Sequence, residues 1–475
     1  MTRSSDMNFK AFMGALMKLK TLRPVLILAI ATGCDSVLDV QPINQIPEER
    51  AIISPATARS AVAGMYDALQ SYYGGTFSVF GDLPAEDVEH TGTFASWRQV
   101  DKNEITTDNT AIEPLWDALY RAIGRANIVI QRVPTVAGLD PGERDQMVGE
   151  AHFIRALTYH NLVKLWGEKA TSGLGVPLRL EPAVDIPSAS DIERATTSEV
   201  YAQVLSDLTE AERLMTVTDA TRQGSIRAVR ASRARVLLYQ QNWVAAESEA
   251  EAVAAMGLGL ATNYSDLFTA AGGNTPEDIL RLRYNAKDSH TLGFYYRAKG
   301  AAGGRKEVSP AVTLLLAYDP NYGGTRATYN PVDRRGQWNV AFSGSAGSTR
   351  YGSKYPTSTG TEHLHVIRFA EILLIKAEAE ARQNKLGEAQ ASLNLIRTRA
   401  GLLGLDLVAM GQSAAIDAIL HERRLELVYE GDRWPDLVRT DRAVATLGIP
   451  AFRTLFPIPQ NELDVAPGLV QNPGY

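Results

Sequence analysis

Helical periodicity is the property of this sequence that most limits its possible folds. Beyond about residue 50, apolar residues recur every three or four positions, the spacing that places them on one face of an α-helix. Two stretches, 226–256 and 365–401, each read as two helices joined by a polar turn, at Gln241-Asn242 and at Asn384-Lys385. Each pair is close to the tetratricopeptide length of about 34 residues and is rich in alanine where its helices would touch. The pattern predicts a mostly α protein of tetratricopeptide-like helix pairs with little β structure.

Two segments interrupt the helical pattern. They cover about residues 72–110 and 257–361, and the second is rich in glycine and tyrosine. Long inserts without regular structure are uncommon in compact domains and are usually functional or partly structured. We therefore expect a helical scaffold over 50–256 and 362–475, with two loop-rich inserts that carry the variable surface.

Composition and charge narrow the classes of function. The chain has 475 residues, of which 45% are hydrophobic and 21% charged, as in an ordinary folded protein. Its formal net charge is −6, and its arginines are interleaved with acids. Nucleic-acid binding needs a basic face, so we expect no nucleic-acid partner.

The N-terminal segment is typical of an export signal. The chain has one cysteine, Cys34, which excludes an intramolecular disulfide. Before it come a basic stretch, a short apolar run at 25–31 and small residues suited to cleavage. That run is shorter than the ~20 residues needed to cross a bilayer. We interpret 1–33 as a lipoprotein signal peptide and Cys34 as the lipidated first residue of a single mature domain, 34–475.

A densely charged segment at 420–440 could be either an active site or a structural brace. Glu422, Glu426 and Glu430 are four residues apart, which stacks them on one face of a helix. Paired acids can serve as general acid and base. The same helix is apolar nearly all round, however, which predicts burial. Because buried charges are normally paired, we interpret the segment as a brace in which Arg423 pairs locally with Glu426.

Several phrases, in order along the chain, resemble the SusD/RagB family of surface lipoproteins. They are "LDVQP" soon after the cysteine, "LWDALYRAIGRANIVI", "EAHFIRALTYHNLVKLWG", the charged segment, and "FPIPQNELDVAPGLVQNPGY" at the end. The resemblance extends over 34–475. It implies a SusD-like helical scaffold of tetratricopeptide-like units with a loop-rich ligand-binding face, and a nutrient-binding protein rather than an enzyme.

The resemblance also implies partners and a location. Such proteins sit on the outside of the outer membrane, capture oligosaccharides and pass them to a SusC-like TonB-dependent transporter. We therefore expect an oligosaccharide or other nutrient ligand, such a transporter, and membrane contact through lipid on Cys34, with no cofactor and no metal. Ala31 stands where the usual signal has leucine, and Asp35 retains lipoproteins at the inner membrane in some bacteria. Sorting between the two membranes therefore stays open.

Aromatic residues of the inserts are the candidate ligand contacts. Tryptophan and tyrosine planes bury the C–H faces of sugar rings, while nearby polar side chains hold the hydroxyls. Tryptophans in polar surroundings are the first choice. The candidate ligand-binding residues are Trp97 and Trp338, then Tyr295 and Tyr296, then Tyr72 and Tyr73, and the same inserts carry Phe94 and Tyr322. Alternatively, these rings form small cores beneath the loops.

Two other classes of function stay open. The first insert carries four carboxylates, at Asp82, Glu86, Asp87 and Glu89. We expect solvated loop acids, but such groups could also bind Ca²⁺ or form the catalytic pair of an exported helical glycosidase. The third possibility is a tetratricopeptide-like scaffold that binds a partner peptide.

Overall fold

The computed structural model describes residues 52–182, 190, 192–221, 223–269, 273–298, 306–344, 347 and 349–475. Residues 54–475 form one compact unit. The predicted signal peptide and the predicted lipid site at Cys34 lie outside the described residues. Within the described part of the chain, no helix is both long enough and apolar enough to pass through a membrane.

The predicted fold class, a mostly helical protein with little β structure, is confirmed. The helices are α1 (Pro55–Tyr72), α2 (Ser78–Phe80), α3 (Ala95–Asp101), α4 (Ile112–Arg132), α5 (Pro141–Trp166), α6 (Thr197–Leu214), α7 (Ile226–Tyr239), α8 (Trp243–Ala254), α9 (Leu292–Tyr296), α10 (Val312–Tyr318), α11 (Arg334–Asn339), α12 (Phe369–Arg382), α13 (Leu386–Arg399), α14 (Leu407–Met410), α15 (Gln412–Glu426), α16 (Arg433–Arg439), α17 (Ala443–Leu447) and α18 (Gln460–Val465). A π-helical turn, Tyr73–Phe77, joins α1 to α2, and 3₁₀ turns lie at Val133–Thr135, Tyr264–Phe268, Arg326–Thr328 and Ala451–Thr454.

Successive long helices pack side by side and form the scaffold. In chain order, α1 packs on α4, α4 on α5, α5 on α6, α6 on α7, α7 on α8, α8 on α12, and α12 on α13. Both predicted hairpin turns are confirmed. Gln241 and Asn384 adopt left-handed conformations, with φ of 58° and 62°, and the Asn242 side chain accepts a hydrogen bond from Ala245 N at the start of α8. Short polar turns thus force neighbouring helices to run antiparallel.

Local capping chemistry explains where several of these helices begin. Ser54 precedes Pro55 and forms a capping box with Thr57 at the start of α1. Thr196 and Glu199 form the same arrangement at α6. Helix α5 is different because it is buried from Gln146 to Trp166 on every side. It is therefore the central helix of the N-terminal half.

The strands are short, and all of them lie in the inserts or at the border of the second one. They are β1 (Val88–His90), β2 (Asp278–Leu282), β3 (Val308–Pro310), β4 (Val340–Ser343), β5 (Thr349–Gly352) and β6 (Leu364–Arg368). They pair antiparallel as β1–β3, β2–β6 and β4–β5. The β1–β3 ladder joins the first insert to the second, although more than two hundred residues separate them in sequence.

The C-terminal segment packs against the central helix α5. Trp166 Nε1 donates a hydrogen bond to Pro457 O at 3.0 Å, and Asn472 Nδ2 donates to Trp166 O at 3.0 Å. Phe456 N donates to Leu165 O at 2.9 Å, and its ring lies edge-on to the Trp166 indole at 5.6 Å. Residues 455–475 therefore cover the C-terminal end of α5.

The charged segment 420–440 is a brace, as predicted. Glu426 at the end of α15 binds three arginines from elsewhere: Arg335 at 3.2 Å, Arg368 at 2.6 Å and Arg399 at 2.5 Å. All four side chains are at most 4% exposed. Burial alone would raise the pKa of Glu426, but the three guanidinium groups hold it well below its usual range. One carboxylate thus ties α11, β6 and α13 to α15.

The helix of the brace is shorter than predicted. Glu430 lies beyond its end, because Tyr429 and Gly431 have left-handed φ values of 65° and 89° and reverse the chain. Glu430 therefore does not stack on the helix. It binds Lys354 Nζ at 2.5 Å and Arg368 Nη2 at 2.9 Å.

The predicted pairing of Arg423 with Glu426 was wrong. Arg423 is fully buried and binds Asp436 at 2.7 Å and Asp432 at 3.3 Å. The two aspartates follow the chain reversal, which brings them back over α15. The sequence spacing suggested a pairing within one helix, whereas the fold supplies partners from the next one.

Three of the four carboxylates of the first insert, Asp82, Glu86 and Asp87, are largely buried, which corrects our expectation, whereas Glu89 is 38% exposed. Asp82 is fully buried and accepts hydrogen bonds from Gly431 N at 3.2 Å and Arg433 N at 3.1 Å. Asp87 accepts one from Arg424 Nε at 2.7 Å. The other two pair in the same way, Glu86 with Arg433 and Glu89 with Arg350. These acids anchor the insert to arginines whose positions in sequence gave no indication of contact.

Candidate ligand-binding surface

The β1–β3 ladder brings the two inserts to the same place. Its register pairs Val88 with Pro310 and His90 with Val308. Beyond the ladder, Thr91 N donates a hydrogen bond to Glu307 O at 2.9 Å. The loop that follows β1 therefore lies directly against the chain that precedes β3.

Glu307 connects the two inserts through hydrogen bonds. Its buried carboxylate accepts a hydrogen bond from Thr93 N at 2.9 Å, and its own N–H donates to Tyr295 O at 2.8 Å. The loop passes so close that a Cβ on Gly92 would lie 1.7 Å from the Glu307 carboxylate and 2.8 Å from its Cα. Only glycine permits this approach. Glu307 thus fixes Thr93 from the first insert beside Tyr295 from the second.

Four aromatic rings meet at this junction. Phe94 and Trp97 lie 5.5 Å apart, Trp97 and Tyr295 4.7 Å, and Phe294 and Tyr295 5.7 Å, measured between ring centroids. Trp97 is 5% exposed and rests edge-on against Phe80, whereas the other three are half-buried. We call Phe94, Trp97, Phe294 and Tyr295 the aromatic patch. Parts of the Phe94, Phe294 and Tyr295 rings are exposed, and the buried Trp97 ring supports them.

Trp97 is buried because its segment is helical. The polar surroundings suggested an exposed loop, but Ala95–Asp101 form the short helix α3, which turns Trp97 and Val100 inward. The positions i and i+3 share a helix face. The tryptophan therefore supports the neighbouring rings more than it faces solvent.

Trp338 and Tyr322 belong to other clusters. Trp338 is half-buried against the 3₁₀ turn, in a cluster formed by Ala261, Tyr264, Leu267 and Phe268. Tyr322 is 8% exposed and lies edge-on to Tyr329. Among the described residues, no ring contact joins Trp338 or Tyr322 to the aromatic patch. A joint platform of Trp97 and Trp338 stays a prediction.

The structure places the other three candidate tyrosines in the core. Tyr72, Tyr73 and Tyr296 are 1%, 5% and 0% exposed. Tyr73 Oη accepts a hydrogen bond from Asn161 Nδ2 at 2.9 Å, and the Tyr296 ring packs 4.6 Å from that of Tyr429. A ligand could reach these rings only after a rearrangement, so their role in binding stays a prediction.

Phe294 joins the patch although it was not a candidate from sequence. The signal was its place in the aromatic run "GFYY", of which we selected only the two tyrosines. On α9, Phe294 and Tyr295 are half-buried while Tyr296 turns inward. Within this one helical turn, Phe294 and Tyr295 therefore belong to the aromatic patch and Tyr296 to the core.

Polar groups border the patch. Thr93 and Arg98 are exposed next to Phe94 and Trp97. His90 Nε2 lies 3.6 Å from the Glu307 carboxylate. Burial lowers the pKa of His90 despite the attraction of that carboxylate, so the imidazole is neutral near pH 7. The surface therefore combines flat apolar faces with hydrogen-bonding groups, which suits a ligand that has both.

A carboxylate cluster elsewhere has the spacing of a metal site. Oxygens of Glu247, Glu251 and Glu380 lie within 4.8 Å of one another. Two lysines already offset part of the charge of these three carboxylates, since Lys385 Nζ binds Glu247 at 2.7 Å and Lys376 Nζ binds Glu380. We interpret the cluster as an ion-pair group of α8 and α12.

Comparison with known proteins gives consistent matches. The model of the SusD family matches residues 345–451, and a related model, described as starch-binding associating with outer membrane, matches residues 37–238. A SusD-like protein of Formosa agariphila is 28% identical over 503 aligned residues, covering 94% of this chain and 97% of the relative. A SusD-like protein of Bacteroides ovatus is 22% identical, covering 86% and 80%.

Solved structures agree with these sequence matches. A SusD superfamily protein from Bacteroides vulgatus superimposes with a TM-score of 0.78 at 21% identity, covering 88% of this chain and 99% of that one. A laminarin-binding SusD-like protein superimposes with a TM-score of 0.74 at 24% identity, covering 89% and 100%. At these identities the structural matches establish a shared fold.

Proposed function

Since this chain belongs to the SusD family, whose members are typically outer-membrane lipoproteins, we propose that it captures a glycan at the cell surface. The aromatic patch is the proposed contact, and a SusC-like TonB-dependent transporter is the proposed recipient. The observation that carries this proposal is the meeting of half-buried rings from both inserts at one junction.

The chemistry of the patch supports a sugar ligand. A pyranose ring has a face of C–H groups that stacks on an aromatic plane, and its hydroxyls need hydrogen-bonding partners around the edge. Phe94, Phe294 and Tyr295 offer the apolar faces, and Thr93 and Arg98 lie at the border. The laminarin-binding neighbour makes laminarin a reasonable first ligand to test.

We propose binding without catalysis. A glycosidase needs two carboxylates that are available to the substrate. Asp82 and Asp87 are buried, and backbone N–H groups or arginines occupy them. Glu307, which lies beside the patch, is fully buried and accepts a hydrogen bond from Thr93 N. These environments support structural roles for the carboxylates nearest the proposed site.

Replacing Tyr295 by alanine should weaken glycan binding about fivefold or more, because loss of an aromatic contact typically costs at least ~1 kcal/mol. The ring is half-buried, so thermal stability should change little. Trp97→Ala should lower affinity and stability together, since Trp97 is 5% exposed and supports the patch. Affinity electrophoresis against laminarin and other polysaccharides, beside melting curves, separates the two effects.

A matched control for this experiment is Trp243→Ala. Trp243 is also half-buried but packs on Arg382 of the scaffold, 5.2 Å from its guanidinium carbon. Its replacement should leave glycan affinity unchanged. Equal affinity of wild type and Tyr295→Ala for every bound polysaccharide would rule out the patch as the site.

Anchoring and partnership can be tested in one extraction. With radiolabelled fatty acid, the wild-type protein should carry label and co-purify in mild detergent with a large β-barrel transporter, while Cys34→Ala should carry none. The lone cysteine after an export signal motivates the first expectation, and the family motivates the second. Label on Cys34→Ala would contradict lipidation at Cys34. Recovery of the wild type alone, under conditions that preserve other transporter complexes, would contradict the partnership.

A further inference from the structure

A cavity lies in the helical scaffold, apart from the aromatic patch. It has a volume of about 320 Å³ and opens between the C-terminal end of α5, the start of α6, the end of α7 and α16. Its walls include the aliphatic side chains of Val163, Pro435 and Val438 and the rings of Tyr201 and Tyr239. None of the aromatic-patch residues lines it. Its volume is at the small end for ligand pockets, which run from roughly 300 to 1,000 Å³.

Lys164 on α5 also lines this cavity, and its ammonium group lacks an acceptor. The residue is 7% exposed. Its Nζ lies over two rings, 5.2 Å from the centroid of Phe77 and 5.9 Å from that of Tyr239. In the described part of the chain, no carboxylate or carbonyl oxygen accepts a hydrogen bond from it. A largely buried ammonium without a hydrogen-bond acceptor is costly, so a bound anion would stabilise it.

Tyr239 forms part of the wall of the same cavity. Its buried hydroxyl has no hydrogen-bond partner among the described residues. The ring is held in place by His160, edge-on at 4.9 Å, and by Arg439, whose guanidinium carbon lies 5.5 Å from its centroid. Because the hydroxyl is enclosed, the Tyr239 ring, and not its hydroxyl, faces the cavity beside Lys164.

Two other polar features of the cavity wall are already engaged. Arg439 makes two hydrogen bonds to the Glu378 carboxylate, at 2.9 and 2.7 Å. The first N–H groups of α6 are also used, since Thr197 N donates to Gly173 O and Ser198 N to Thr171 O, both at 2.9 Å. The start of α6 therefore offers no free anion site. Lys164 is the buried cationic donor at the cavity, and the exposed Gln240 and Gln241 lie at its edge.

We propose that this cavity binds a small monocarboxylate with an apolar face, whose carboxylate accepts a hydrogen bond from Lys164 Nζ. An ammonium donates a charge-assisted hydrogen bond, and a carboxylate is a strong acceptor for it. The apolar body packs against Val163, Val438 and the Tyr201 ring. A sugar acid and an aromatic acid share this chemistry, and both fit the size of the cavity better than an oligosaccharide does.

The charge state of Lys164 agrees with this role. Burial lowers the pKa of Lys164 to about 8, against the attraction of Asp432. The side chain is therefore mostly an ammonium at neutral pH and can donate to a carboxylate. A bound carboxylate would also offset the cost of holding that charge inside the protein.

The test is calorimetric titration of the full-length chain, purified in detergent, with two carboxylates and their neutral counterparts. Benzoate is paired with benzamide, and glucuronate with glucose. At least one carboxylate should bind saturably, and about tenfold or more tighter than its neutral partner, as charge-assisted hydrogen bonds imply. The preferred pair distinguishes an aromatic acid from a sugar acid.

Three variants complete the test. Lys164→Met keeps the apolar stem and removes the charge, so it should weaken carboxylate binding about tenfold or more. Val438→Phe keeps Lys164 but fills the cavity, and it should also abolish binding. Lys287→Met, at an exposed lysine away from the cavity, should bind as the wild type does. Absence of saturable binding by both carboxylates, or unchanged binding to Lys164→Met, would overturn the proposal.

Discussion

Replacing Glu426 by glutamine should lower the free energy of unfolding by about 3–5 kcal/mol, the range found when one partner of a buried ion pair is removed. The network around it contains equal numbers of cations and carboxylates, namely Arg335, Lys354, Arg368, Arg397 and Arg399 against Glu277, Asp333, Glu422, Glu426 and Glu430. Glutamine preserves the shape but leaves one buried positive charge uncompensated. Urea denaturation at neutral pH measures the loss.

The matched control is Glu210→Gln. Glu210 pairs with Arg213 on the surface of α6, where the side chains are 37% and 64% exposed. Exposed ion pairs contribute little, so the change should stay within about 0.5 kcal/mol. If Glu426→Gln lost less than about 1 kcal/mol, the network would not be the structural brace we infer.

Acid should destabilise the protein through Glu430. Burial alone would raise its pKa, but Arg368 and Lys354 outweigh that effect and lower the pKa to about 2. In the unfolded chain a glutamate titrates near 4.3. Because the folded pKa is the lower one, the stabilisation is complete above pH ~4.5 and is lost as pH falls towards 2, with a loss of about 3 kcal/mol.

Urea denaturation between pH 5 and 2 measures this loss. Glu430→Gln should be less stable than wild type at neutral pH, because Lys354 and Arg368 lose a partner, yet it should depend less steeply on pH in the acid range. Glu388→Gln, at an exposed position on α13, should keep the wild-type slope. The same steep slope in Glu430→Gln would assign acid lability to other carboxylates.

The scaffold could be predicted from sequence because its determinants are local. Apolar spacing defines each helix, and the turns at Gln241-Asn242 and Asn384-Lys385 lie between stretches that are strongly periodic. Capping pairs such as Ser54 and Thr57 are only three residues apart. Helices, turns and caps of this kind can be predicted without knowing which distant segments are in contact.

The site was predictable only in part because it depends on distant contacts. Phe94, Trp97 and Tyr295 could be selected as aromatic residues of the inserts, but their meeting depends on β1 and β3, strands of three residues that are too short to give a periodic signal. The burial of Trp97 depends on α3, a helix of seven residues. For the same reason the pairing of Asp87 could not be predicted, because its partner Arg424 is 337 positions away in sequence.

The packing of residues 455–475 against α5 imposes an order on biosynthesis. Until this segment leaves the ribosome, Leu165 O and the Trp166 indole N–H lack the partners that Phe456 and Pro457 provide. Contacts between residues so far apart along the chain form late. A nascent chain therefore carries an uncovered apolar groove at the end of its central helix. This delay keeps the N-terminal half short of its final stability, which would favour the passage across the inner membrane that the proposed signal peptide implies.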